Sequence, residues 1–112
     1  MRSERAVTVY RKLVRDRTPE WIEGNGGRAR YRVLDPVELV PALVAKLHEE
    51  ADEVAGADPA DRLAELADLR EVLSTLTAIL GFTEAQVARA ADEKRAARGG
   101  FAGRIWLEET VG

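Results

Sequence analysis

At 112 residues, with 46% hydrophobic and 33% charged positions, the chain has apolar material for one modest core and one domain. A net charge of −3 and a pI near 5.3 argue against a surface built to coat nucleic acid. The absence of cysteine excludes a disulfide framework, thiolate chemistry and a cysteine-based zinc site. No long apolar run and no signal-peptide pattern are present, so a cytoplasmic location is expected, with no membrane and no nucleic-acid partner.

A single domain over residues 1–112 is expected, residues 1–9 forming a loose N-terminal end. Lys12–Arg17 (KLVRDR) is a dense charged block anchored only by Leu13 and Val14. Lys12 and Arg15 are candidate phosphate ligands; the alternative is a salt-bridged surface turn around Asp16. Thr18 reads as the cap of a short helix with Pro19 at its first position, Trp21 and Ile22 on its apolar side, and Asn25-Gly26-Gly27 as its end. Tyr31–Leu34 alternates and reads as a short strand. Asp35-Pro36-Val37-Glu38 is a capping signal for a helix to about Val54, closed by Gly56. Pro41, inside it, is expected to kink the helix or split off a first turn. Asp58-Pro59-Ala60-Asp61 opens a long helix to Leu80, stopped by Gly81. Thr83–Gln86 boxes another helix to about Arg98, ended by Gly99-Gly100. Arg104–Glu108 alternates again and is expected to pair with Tyr31–Leu34 as a small ribbon. Trp21 and Trp106 read as packing residues.

The chemistry lies in the first two long helices. A helix advances about 100° per residue, so positions three or four apart share a face. With Leu39, Leu43, Leu47 and Val54 as the apolar stripe of the first, Glu50 falls inside that stripe, Glu53 on its edge and Glu49 next to Glu53. In the second, Leu66, Leu69, Leu73, Leu76 and Leu80 form a heptad-like stripe, with Glu65 and Asp68 along its edge, in line with Val72 and Ile79. A hairpin turning near Ala57 puts Glu50 level with Glu65, while the lean of side chains toward their own helix N-termini brings Glu53 and Asp68 toward that level. Carboxylates this close repel and raise one another's pKa, so a cation is the natural occupant. All-oxygen ligation points to Mg²⁺, with Mn²⁺ as the other candidate. His48 projects away from this face and reads as a surface residue. The plain alternative for the acids is a solvated face with partners such as Lys46–Glu50.

EExxE (Glu49–Glu53) followed by ExxD (Glu65–Asp68) resembles the signature of the all-α nucleoside triphosphate pyrophosphohydrolases, which include MazG-like proteins, dimeric dUTPases and, more distantly, phosphoribosyl-ATP pyrophosphohydrolase. Lys12–Gly27 (KLVRDRTPEWIEGNGG) and Glu93–Glu109 (EKRAARGGFAGRIWLEE) resemble the ends of a small house-cleaning branch of these enzymes, so the similarity runs from about Tyr10 to Glu109. Two departures are a separation of only eleven residues between Glu53 and Glu65, and Thr18 where that branch commonly carries an apolar residue.

The resemblance implies a mainly α fold, a helical hairpin or bundle with minor short β segments, assembled as a homo-oligomer (dimer or tetramer). It implies a metal-dependent hydrolase that releases pyrophosphate from a nucleoside triphosphate, possible substrates including non-standard nucleotides. Glu50, Glu53, Glu65 and Asp68 would hold the metal, and Glu49 and Glu50 would be the catalytic acids, Glu49 orienting water or helping a second ion. If Val87 and Ala91 mark the inward face of the last helix, Lys94 and Arg98 continue it and join Lys12 and Arg15 as candidate substrate ligands; the alternative for Lys94 and Arg98 is ordinary pairing with a helix C-terminus. The competing functional readings are phosphoribosyl-ATP pyrophosphohydrolase, a non-catalytic metal- or nucleotide-binding helical module, and a purely structural acidic bundle.

Overall fold

The structure is a computed structural model describing residues 6–112, so most of the expected loose end, residues 1–5, lies outside the described residues. Four helices follow in order: α1 (Thr18–Gly24), α2 (Pro36–Gly56), α3 (Arg62–Ile79) and α4 (Glu84–Arg98), with one 3₁₀ turn over Pro59–Asp61 leading into α3. The architecture is mainly helical, and the antiparallel pair α2–α3 forms its centre.

Local chemistry sets the helix ends. At the start of α2 the Glu38 carboxylate accepts the backbone N–H of Asp35 at 2.9 Å and is gripped by both terminal nitrogens of Arg32 at 2.9 and 3.0 Å. Arg32, followed by the Asp35 N–H, holds the Glu38 carboxyl down at about 2. α3 stops in a Schellman turn: Gly81 adopts φ 90, its N–H reaches the Ala78 carbonyl at 3.0 Å, and the Phe82 N–H reaches Thr77 at 3.1 Å. Thr83 and Gln86 exchange both halves of the capping box expected for α4, at 2.8 and 3.1 Å. Thr18 differs from expectation. It lies inside α1, whose cap position is Arg17, and no side chain caps that helix.

α2 continues unbroken through Pro41, so no first turn is split off. A proline there forgoes the bond to Val37, one turn back, and that residue is exposed to water, which can take the freed carbonyl.

Leu43 is the fully buried apolar residue of the hairpin, flanked by half-buried Leu39, Leu47 and Val54 on α2 and Leu69, Val72 and Leu76 on α3. The leucines of α3 therefore split into two faces. Leu69 and Leu76 turn toward α2, whereas Leu63, Leu66, Leu73 and Leu80 lie exposed.

No strand forms among the described residues, which corrects the expected ribbon between Tyr31–Leu34 and Arg104–Glu108. Val33 and Ile105 are 86% and 89% exposed, and a strand with no neighbour to take its backbone bonds is not stable by itself. Trp21 and Trp106 are likewise exposed rather than packed, because the single chain builds no second layer over them. The radius of gyration is 19.3 Å, against about 13 Å for a compact chain of this length.

Candidate metal centre

Glu50 comes from the buried face of α2, one turn before Val54. Glu65 and Asp68 come from the first two turns of α3, on the side that meets α2. One carboxylate oxygen from each of the three lies within 4.8 Å of the others. An octahedral Mg²⁺ site, with metal–oxygen distances of about 2.1 Å, sets its ligand oxygens roughly 3–4 Å apart. The three need close only slightly to fit. Hard anionic oxygens without sulfur or imidazole are also the donor chemistry that Mg²⁺ and Mn²⁺ prefer.

The electrostatics mark the same place. Desolvation, then the charges of Glu53, Asp68 and Glu50, push the Glu65 carboxyl above its ordinary range. Glu53 itself is exposed and stands outside the three-oxygen group, although its charge is felt by both Glu65 and Lys12.

Three cations balance the acids. Lys46, one turn before the pair, places its ammonium 3.2 Å from Glu50 Oε1 and 3.4 Å from Glu49 Oε2. Lys12 donates to Glu49 Oε1 at 2.9 Å, and Arg15 donates to Asp68 Oδ1 at 2.8 Å. The Lys12 hydrogen bond, with help from Lys46, lowers the Glu49 carboxyl, and the same bond raises Lys12. Every buried side-chain polar atom among the described residues has a partner.

Of the residues expected at the site, the structure thus gathers Glu50, Glu65 and Asp68 as one group and sets Glu49, Lys12 and Arg15 at its margin through ion pairs. It does not bring Lys94 or Arg98 there. Both lie on α4, whose residues are all exposed, and neither forms an ion pair among the described residues. His48 is exposed, as expected. Lys46 is the site residue whose role the sequence reading understated: its spacing to Glu50 was visible, but not that both side chains are largely buried, at 15% and 10% exposure. No helix is long and apolar enough among the described residues to cross a membrane. No protein-family model, curated protein or solved structure matches this chain.

Proposed function

We propose that this protein is a metal-dependent nucleoside triphosphate pyrophosphohydrolase acting as a homo-oligomer. The observation that carries the reading is the convergence of Glu50, Glu65 and Asp68 from two antiparallel helices onto one point. The sequence pattern of Glu49–Glu53 and Glu65–Asp68 supplies the reaction class: water cleaves the anhydride between the α and β phosphates, giving a monophosphate and pyrophosphate.

Glu50, Glu65 and Asp68 would hold the ion, with Glu53 close enough to add charge. When bound, Mg²⁺ or Mn²⁺ supplies a Lewis acid that neutralises phosphate oxygens and makes water more acidic. Glu49, kept ionised by Lys12 and Lys46, would orient a water at the rim or help hold a second ion. Lys12 and Arg15 can exchange carboxylate for phosphate, since both kinds of anion suit the same cationic donors.

Oligomerisation is supported by exposed area. The chain exposes 10683 Å², where a folded monomer of its mass exposes about 6,100 Å². The outward leucines of α3, the whole of α4 and the tail residues Ile105, Trp106 and Leu107 are the surfaces a second copy would cover. Lys94 and Arg98, on α4, would serve as phosphate ligands only where the assembly carries α4 of one copy to the acidic group of another.

The test is a pyrophosphate-release screen over standard, damaged and phosphoribosylated nucleotides with Mg²⁺ and Mn²⁺. Release from at least one triphosphate, lost in Glu50→Gln, supports the reading. Release confined to phosphoribosyl-ATP selects the histidine-pathway alternative, and no release from any member of the panel selects a non-catalytic module.

A further inference from the structure

The segment 10–17 is exposed apart from half-buried Leu13, yet it is tied to both long helices. Lys12 reaches Glu49 on α2, and Arg15, three residues later, reaches Asp68 on α3. Lys12 also lies 5.6 Å from the Tyr10 ring centroid, a cation–π contact within the same segment. Between them Arg11 adopts φ 48, a left-handed conformation that a side chain makes unfavourable. Beyond Arg15, its carbonyl accepts the Thr18 N–H at 3.0 Å and connects the segment to α1. The segment is a strap laid across the open edge of the hairpin, with two of its cations, Lys12 and Arg15, each on an acid of the site, while Arg17 pairs with Glu20 on α1.

Asp68 is the point of conflict. Its carboxylate is both the acceptor of Arg15 and one of the three oxygens of the candidate metal group. Building on the metal reading above, we propose that Arg15 is the counter-ion which a divalent metal displaces from Asp68, and that this displacement releases the strap for phosphate binding. Metal entry turns an intramolecular cation into one free to meet a triphosphate. The metal and the anionic substrate therefore assist each other, and by linkage the assistance is reciprocal. The Arg15 and Asp68 side chains are 60% and 40% exposed, so the clasp is soft and is displaced at modest cost. Arg15 acts here as a positioning residue until it meets phosphate.

Calorimetry with Mn²⁺ alone tests this without any turnover. Arg15→Gln is expected to bind Mn²⁺ about two- to fivefold more tightly than wild type, the range open to an exposed ion pair. Asp68→Asn is expected to bind more weakly than either. Hydrogen exchange supplies a second readout: adding Mn²⁺ to the wild type should speed exchange of the Thr18 amide, which donates to the Arg15 carbonyl. Equal or weaker Mn²⁺ binding by Arg15→Gln, with Asp68→Asn still impaired, overturns the displacement and leaves the metal site standing. So does Thr18 amide exchange that stays constant or slows when Mn²⁺ binds. Undiminished Mn²⁺ affinity in Asp68→Asn overturns the metal reading, and the displacement falls with it.

Discussion

Lys46 Nζ lies 3.2 Å from Glu50 Oε1, one helical turn before it, and this contact lets a carboxylate sit inside the apolar face of α2. Glu50 is 7% exposed, a burial that an unpaired carboxylate would resist by taking up a proton. Lys46→Met keeps the apolar stem and removes the charge, leaving Glu50 without its partner. The expected cost is about 1–3 kcal/mol of stability. Added Mg²⁺ should recover more melting temperature in this variant than in wild type, because it replaces the missing cation. Equal melting temperatures for the two proteins in EDTA would contradict this role.

Glu65 predicts a pH dependence of known sign. Its folded-state carboxyl is raised by desolvation and by the charges of Glu53, Asp68 and Glu50. The folded protein therefore holds that proton more tightly than the unfolded chain. Its contribution to stability is greatest below the unfolded value near 4.5 and declines as pH rises through the raised folded value. Glu65→Gln should remove this decline and raise the melting temperature at pH 7 when divalent ions are chelated. Glu38 acts in the opposite direction: held at about 2 by Arg32, it favours folding above 4.5, and that support is lost as pH falls through 2. Titration of the two carboxyls by NMR in the reverse order would contradict both assignments.

The α2–α3 hairpin was legible because two simple periodicities agree. Leu39, Leu43, Leu47 and Val54 define a face that must contain Glu50, and the short link at Ala57 sets it level with Glu65. Asp68 followed from its spacing to Glu65. Glu53, on the edge of that stripe near the helix end, is exposed and stands outside the three-oxygen group, yet its charge still reaches Glu65. The alternation at Tyr31–Leu34 reads as a strand but forms none, because an alternating pattern does not name its neighbour. Lys12–Glu49 and Arg15–Asp68 span 37 and 53 residues, so no local spacing points to them. The leucine heptad of α3 was visible as one stripe, but only packing against α2 divides it into an inner and an outer face.

That outer face carries a prediction about assembly. Leu73 is 48% exposed on the side away from α2, so Leu73→Asp should weaken association much more than it disturbs the hairpin. A charge placed in a buried interface costs several kcal/mol, enough for about a hundredfold or greater loss of dimer affinity. Sedimentation should then show monomers where wild type sediments as an oligomer. Monomeric wild type at micromolar concentration would refute the assembly.

Lys94 and Arg98 are expected to act on substrate and not on metal. Changing either to Met removes a charge-assisted contact worth about 1.5–3 kcal/mol, or one to two powers of ten in kcat/KM. Mn²⁺ affinity without nucleotide should stay nearly unchanged. Full activity in both variants would make them ordinary partners of the α4 C-terminus.

A Mn²⁺ titration of wild type beside Glu50→Gln, followed by calorimetry, shows whether Glu50, Glu65 and Asp68 together hold a divalent ion. The substitution keeps the shape and removes the charge at the most buried of the three. A saturable site is expected in the wild type and at least about a hundredfold weaker binding in the variant, more than is lost on changing residues that only hold the ligands in place, with helical content retained. Unchanged Mn²⁺ affinity in a folded Glu50→Gln would contradict it.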